Sequence, residues 1–308
     1  MTEAPAALIG VDWGSSNVRA YLMTGGGTIL DAIASADGVA TVAPGAFAAT
    51  FRRLVGGWLD QWPALPVLAS GMVGSRNGWR EAPYVPCPAD ARAIAADLLA
   101  VEAAGRRVLI VPGLSCESED GQPDVMRGEE VEILGIATQG ARLVVLPGSH
   151  CKWVAVDEEE IARFQTFVTG ELFAALRDHT LIGAFARTAP MGAPGEAFAR
   201  GVLRGASAAQ GADGSGLIGA LFGARSLPLT GKLAEADAGD YLSGLLIGAE
   251  IVEARRRFPR ENPQVAGASA LAQRYLAAFA VLGERASAAP PGAAARGLLV
   301  VARQAGLL

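Results

Sequence analysis

The sequence predicts an α/β protein of two domains, and three observations carry that prediction. Short apolar runs of strand length alternate with amphipathic helical segments along the chain. Its 308 residues exceed the usual span of one domain. The order strand–turn–strand–strand–helix occurs twice, beginning near residue 8 and again near residue 142, as a repeat of pattern and not of residue identity.

The elements follow in order. Residues 8–35 read as three strands, "LIGVDW", "VRAYLM" and "TILDAIAS", parted by small-residue turns. Residues 45–61 have helical spacing through Phe47, Phe51, Leu54, Val55, Trp58 and Leu59, with Trp58 and Trp62 as core or interface residues. "PVLASG" (66–71) is a strand, 89–103 a helix, "VLIVPGL" (108–114) a strand and 128–139 a helix. "RLVVLPG" (142–148) and "KWVAV" (152–156) form a hairpin, 161–169 a third strand and 170–179 a helix. Residues 180–260 are mainly helical, with the longest helix over 239–258. A strand, a small-residue turn and a helix fill 263–283, 288–292 is a loop, and a helix closes the chain. The strand pattern restarts near 139–141, so the expected domains are 1–139 and 140–308.

Composition bounds the function. Hydrophobic residues make up 51% and charged residues 19%, as in a folded globular chain. The net charge of −5 argues against generic binding to nucleic acid or anionic membrane. Cys87, Cys116 and Cys151 are far apart, and His150 and His179 are the only histidines, which is too few ligands for a zinc site. The N-terminal "MTEAPAA" has no basic segment, and no apolar run reaches the roughly 18–20 residues of a membrane helix, so the expected location is the cytoplasm. G-x-x-x-x-G-K-[ST], G-x-G-x-x-G after a strand, and G-x-S-x-G are all absent.

Three turns could meet a nucleotide. In Asp12-Trp13-Gly14-Ser15-Ser16-Asn17 a carboxylate ends a strand, where it can orient Mg²⁺, and small residues present N–H and hydroxyl donors to phosphate. A plain hairpin explains the same residues equally well. Gly148-Ser149-His150-Cys151-Lys152 repeats the arrangement, with Lys152 adding positive charge; by itself an ordinary hairpin is the simpler explanation. Val265-Ala266-Gly267-Ala268-Ser269 precedes a helix and would let a ligand approach the backbone, or would serve tight strand–helix packing. Their order along the chain says more than any one of them: two strand hairpins, each with a phosphate turn, then a small-residue turn.

That order resembles the actin-like ATPase superfamily of ribonuclease H-like domains. "SGMVGSRNGWREAPYVPCPA" (70–89), "DVMRGEEVEILG" (124–135), "LPGSHCKWV" (146–154) and "FQTFVTGELFAALRDHTLIG" (164–183) together resemble the 2-dehydro-3-deoxygalactonokinase family. The likeness runs from Ile9 to the terminal helix; the third turn departs from the superfamily's usual Gly-Gly pair, with Ala268 in second place.

The resemblance implies two actin-like domains with ATP and Mg²⁺ in a cleft between them. Asp12 would orient the metal. Gly14, Ser15 and Ser16 would meet phosphates from one domain and Gly148, Ser149 and Lys152 from the other, with Gly267 and Ser269 at the adenosine. The substrate would be 2-dehydro-3-deoxy-D-galactonate, phosphorylated at its C6 hydroxyl. Related kinases place the proton-accepting carboxylate at the start of the helix before the second hairpin, which makes Glu129 the first candidate base, ahead of Glu130 and Asp124. Acids in a first helical turn also simply stabilise helices. Arg76, Arg80 and Arg127 suit the substrate carboxylate, with Ser75, Asn77 and Trp79 shaping the loop; a solvated loop is the alternative. His150, His179 and Cys151 read as structural, and Arg19 has no assigned role. The same pattern would serve a kinase for another sugar or sugar acid, an exopolyphosphatase-type enzyme, or a non-enzymatic actin-like ATP-binding module. A homodimer is compatible with it.

Overall fold

The computed structural model describes residues 5–308 apart from Glu119, Ala212, Asp213, Ser215, Arg260 and Ala268. The chain divides into two compact units. The first holds the chain up to Gly140, with Val156–Arg163 and Gly292–Leu308; the second holds Ala141–Ala155 and Phe164–Pro291.

The first unit contains β1 (Ala6–Trp13), β2 (Val18–Thr24), β3 (Ile29–Ser35), α1 (Phe47–Gln61), β4 (Val67–Ser70), β5 (Tyr84–Pro86), α2 (Ala91–Ala96), β6 (Leu99–Ala103), β7 (Arg106–Ile110), β8 (Gly113–Glu117), β9 (Pro123–Met126) and α3 (Glu129–Ala137). Its main sheet has the order β3-β2-β1-β4-β7-β6, with β1, β4 and β7 parallel. Alternation puts Ile9, Val11 and Trp13 on one face of β1, in a core with Phe47, Phe51, Val55 and Trp58 of α1. Trp58 also donates to the Asp31 carboxylate at 3.0 Å, and Trp62 packs on the same core.

The opposite face of β1 is covered by the terminal helix, Ala293–Gln304, and α3. A Cβ on Gly10 would meet Leu298 at 2.9 Å. Where the two helices cross, a Cβ on Gly297 would come within 1.7 Å of the Val131 carbonyl, and one on Gly135 within 2.0 Å of that of Ala293. Glycine at both crossing points lets α3 sit against its neighbour backbone to backbone, which sets where the first turn of α3 lies.

The second unit contains β10 (Leu143–Leu146), β11 (Cys151–Asp157) up to Ala155, β12 (Glu160–Phe167) from Phe164, α4 (Thr169–His179), α5 (Glu196–Gln210), α6 (Gly216–Leu221), α7 (Gly223–Leu229), α8 (Ala238–Arg255), β13 (Gln264–Val265), α9 (Ala270–Val281) and β14 (Ser287–Ala288). The sheet order β12-β11-β10-β13-β14 repeats the inner plan of the first unit: two antiparallel strands on one side of the leading strand and a parallel strand on the other. Trp153, Phe198, Ile251, Tyr275 and Phe279 centre its core.

The structure differs from the sequence expectation in four places. The helix expected over 89–103 ends at Ala96, and Leu99–Ala103 is a strand whose Val101 and Ala103 are buried with period two against β7. The run 108–114 is split, with Pro112 between β7 and β8. A three-stranded sheet, β5-β8-β9, is made of strands too short to show a period. Residues 156–163 and the terminal helix belong to the first unit and not to a continuous 140–308 domain. Among the described residues, no helix is long and apolar enough to cross a membrane.

Candidate active site

In the first unit β1 and β4 end side by side, with Asp12 level with Ser70, and the chain leaves both strands at the edge where parallel α/β sheets bind ligands. The two-stranded register puts Arg19 directly across from Asp12 and Tyr21 across from Gly10, so all four share one face. That is the face α3 covers. Gly128, at φ +105°, allows the turn into α3 to lie on Gly71, where an added Cβ would come within 2.9 Å of the Gly71 Cα. Glu129 therefore starts its helix beside the ends of β1 and β4.

The electrostatics record this packing. Burial raises the Asp12 carboxyl above the ordinary range; Arg19 opposes the rise and the charge of Glu129 adds to it. Burial lifts Glu132 to about 7, with Asp12 and Glu129 pushing the same way and Arg19 against. Glu130 is fully buried, which lifts it to about 8; one of its oxygens accepts from the Gly128 N–H at 2.6 Å and the other has no partner. Burial thus favours the protonated form of Glu130. Glu129 is half-buried and accepts from the Arg127 backbone N–H at 3.0 Å. Asp124 lies on β9 across from Cys116, its carboxylate accepting from the Val125 N–H at 2.8 Å.

The phosphate turn of this unit is narrower than its sequence suggests. The Gly14 N–H closes the turn on the Asn17 carbonyl at 2.9 Å, so it is not offered to a ligand. Ser15 and Ser16 are exposed. Residues 38–40 brace the turn: Val39 and Ala40 donate to the Gly14 and Ser15 carbonyls, and a Cβ on Gly38 would lie within 2.2 Å of Ser16.

The 71–84 loop follows β4. Arg127, 8% exposed, donates from Nη2 to the Ala82 carbonyl at 2.8 Å and lies over the Tyr84 ring at 4.3 Å, while its Nε and Nη1 have no partner. The Ser75 hydroxyl is likewise buried without a partner. Arg76 pairs with Glu81 at 3.6 Å in solvent, and Asn77 and Arg80 are exposed. Trp79 is turned inward, against Phe51 at 5.6 Å and Trp13 at 6.3 Å, and anchors the loop to the core.

In the second unit Gly148 and Ser149 form the hairpin between β10 and β11. The N-terminal turn of α4 holds it: Glu171 donates its N–H to the Ser149 carbonyl at 2.9 Å and its carboxylate meets His150 at 2.8 Å. A Cβ on Gly170 would come within 2.2 Å of the Gly148 carbonyl. Lys152 departs from expectation. It is 5% exposed and donates to Thr166 of the neighbouring strand at 2.5 Å. Gly267, at φ +83°, and Ser269 are exposed where β13 passes into α9, and the Ser269 side chain caps that helix on the Ala272 N–H at 3.2 Å. Ala268 lies outside the described residues.

Beside the hairpin is a largely apolar cavity of about 280 Å³, bounded by Gly148, Ser149, Gly170, Leu246, Leu271 and Tyr275 among others. Its wall is stiffened by buried Glu250, which accepts from Trp153 at 2.8 Å, Tyr275 at 2.6 Å, Cys151 and Thr169. Such a cavity has room for a nucleoside at the small end of the usual ligand range.

Sequence reading missed Glu132, Tyr21 and the cavity, and left Arg19 without a role. Glu129 and Glu132, three apart on a helix, share a face, and Asp12 and Arg19 are symmetric about a four-residue turn; both relations are visible in the sequence once pairing is assumed. The cavity is assembled from segments more than 100 residues apart and has no local signal.

A family model described as 2-keto-3-deoxy-galactonokinase matches residues 12–301. A protein from Escherichia coli (strain K12) named 2-dehydro-3-deoxygalactonokinase is 37% identical, over 90% of this chain and 91% of its own. A Rhizobium meliloti (strain 1021) protein assigned to the same activity is 35% identical, over 79% of each chain. A crystal structure from Sinorhizobium meliloti, also assigned as a 2-dehydro-3-deoxygalactonokinase, superposes with a TM-score of 0.84 at 35% identity, covering 96% of this chain and 98% of that one. The chain belongs to the 2-keto-3-deoxy-galactonokinase family of ATP-dependent sugar-acid kinases, and shares the α/β fold of its solved relative.

Proposed function

We propose that this protein transfers the γ-phosphoryl group of ATP to the C6 hydroxyl of 2-dehydro-3-deoxy-D-galactonate, giving 2-dehydro-3-deoxy-6-phosphogalactonate and ADP in galactonate catabolism. The observation that carries the reading is the grouping of half-buried Asp12 and Glu129 at the ends of β1 and β4, next to a buried, half-satisfied Arg127. A buried cation with unpartnered N–H groups suits an anionic substrate.

In this reading the C6 oxygen bonds to the γ-phosphorus, the bond from that phosphorus to the β,γ-bridging oxygen breaks, and Glu129 accepts the hydroxyl proton. Ser15 and Ser16 in the first unit, and Gly148 and Ser149 in the second, offer donors to phosphates. Arg127 and Ser75 take the substrate carboxylate and an adjacent oxygen, and Arg76, Asn77 and Arg80 line the mouth of that loop. Lys152 supports the sheet and Trp79 the loop. Glu250, Thr169 and Tyr275 shape the cavity for the nucleoside, with Gly267 and Ser269 at the start of α9.

Mg²⁺ fits Asp12: among the described residues no cluster of three ligands forms, and a single carboxylate is the donor set of a hydrated cation held mainly by phosphates. When bound, the ion would neutralise phosphate charge.

The test is ADP release by the purified protein over a panel of sugar acids with ATP and Mg²⁺. Turnover should be greatest with 2-dehydro-3-deoxy-D-galactonate, above its gluconate-derived epimer. No ADP from the galactonate-derived acid, with ADP from another, refutes the assignment.

A further inference from the structure

We propose that Ser243 reads the nucleobase of the phosphoryl donor, which seats at the Ser243–Met191 end of the second unit's cavity. The inference rests on the reading of that cavity as the nucleoside site.

The cavity has a direction. Thr169 and Gly170 bound it next to the Gly148–Ser149 hairpin, and Thr169 is bonded to Glu250 on α8. That fixes the phosphate end at Glu250. Along the same stripe of α8 lie Ile247, Leu246, Ser243 and Gly239. Gly239 is where Met191 rests, 3.3 Å from the place of an added Cβ. From Glu250 back to Ser243 is seven residues, a rise of about 10 Å. That separation matches the reach of a nucleotide from its phosphates to its base, so the Ser243 end is the base end.

The cavity also has few voices. Of the polar side chains that bound it, Thr169 and Tyr275 give their hydroxyls to Glu250. Ser149 sits at the phosphate end against His150. Ser243 is 5% exposed, bounds the cavity, and has no hydrogen-bond partner among the described residues. A hydroxyl on this wall that is unengaged by the protein is open to what the cavity holds. The surrounding Leu246, Ile247, Leu271 and Met191 hold a flat ring by contact and cannot tell one base from another. Serine both donates and accepts, so its orientation decides which base edge it favours.

The test measures ADP and GDP dissociation constants for the full-length protein and two variants, with thermal unfolding as a control. Ser243→Ala should weaken the favoured nucleotide about two- to ten-fold and change the ADP:GDP ratio, the size of one neutral hydrogen bond. Ser243→Leu fills the cavity and should remove binding of both while Tm holds. Unchanged affinities and ratio in Ser243→Ala overturn the base-reading role, even if Ser243→Leu fails to bind. Wild-type affinity in Ser243→Leu overturns the seat itself. If the wild-type protein binds ADP but phosphorylates no galactonate-derived acid, the substrate assignment fails and the role of Ser243 stands. If it binds neither nucleotide, both fail.

Discussion

The two hairpins of this chain share a topology and differ in chemistry. In the first unit the leading strand carries Asp12 one residue before its end, faced across the ladder by Arg19; in the second it ends on Leu146, faced by Lys152. Around Asp12 gather Glu129 and Glu132; burial and the neighbouring acids raise the carboxyls of Asp12 and Glu132. Beyond Leu146, Lys152 donates to Thr166 and buried Glu250 accepts from four donors. One scaffold thus carries a partly buried cluster of acids in one copy and a largely apolar cavity in the other. The difference teaches that a repeated strand plan takes its chemistry from the few side chains placed at its strand ends and under its helices.

Breaking the acid side should have the largest effect. Glu129→Gln should lower kcat by about 10²–10⁴-fold with ATP affinity retained, since it would remove the proposed general base and keep the shape. Steady-state kinetics with direct nucleotide binding would check this; an unchanged kcat moves the base to another residue.

The hairpins themselves can be compared by a matched pair. Asp12→Asn should cost about 10–100-fold in Mg²⁺-dependent turnover, as for a carboxylate acting through the water shell of an ion. Lys152→Met should instead lower Tm and leave the KM for ATP within about three-fold, because its charge serves the sheet and a rim charge would be needed to act on phosphate. Loss of ATP affinity without loss of stability in Lys152→Met would return that lysine to the phosphate site.

The smallest effect sharpens the contrast in pairing. Glu130 titrates near 8 when folded against an ordinary 4.5, chiefly through burial. Between those values the folded chain binds more protons than the unfolded one, so this stability is complete below about pH 4.5 and is lost as pH rises through 8. Glu130→Gln should flatten the fall in Tm over that window and exceed the wild-type Tm at its alkaline end by about 2–4 °C. An unchanged pH profile would show that Glu130 is already ionised in the native state.

Much of the site was legible because it is local. Asp12 at a strand end, Glu129 at a helix start and Gly148–Ser149 in a turn are each marked by a change of period within a few residues. Arg127 and Trp79 were legible as residues of interest but not in their orientation. The arginine reaches back to the Ala82 carbonyl, and the tryptophan enters the Trp13–Phe51 core. Neither contact has a sequence period, because each joins elements brought together only by packing.

By itself the sequence determined the α/β class, the doubled strand–hairpin plan, the position of both turns and the acid at the start of α3. Periodicity and turn chemistry act over a few residues and are written directly in the chain. Only the tertiary structure decided that the terminal helix returns to the first unit, that Glu130 is fully buried while Glu129 is half-buried, and that α4, α8 and α9 border a cavity with one unengaged hydroxyl. Those outcomes depend on close approach at Gly135, Gly297 and Gly170 and on desolvation, which are properties of distant segments in contact.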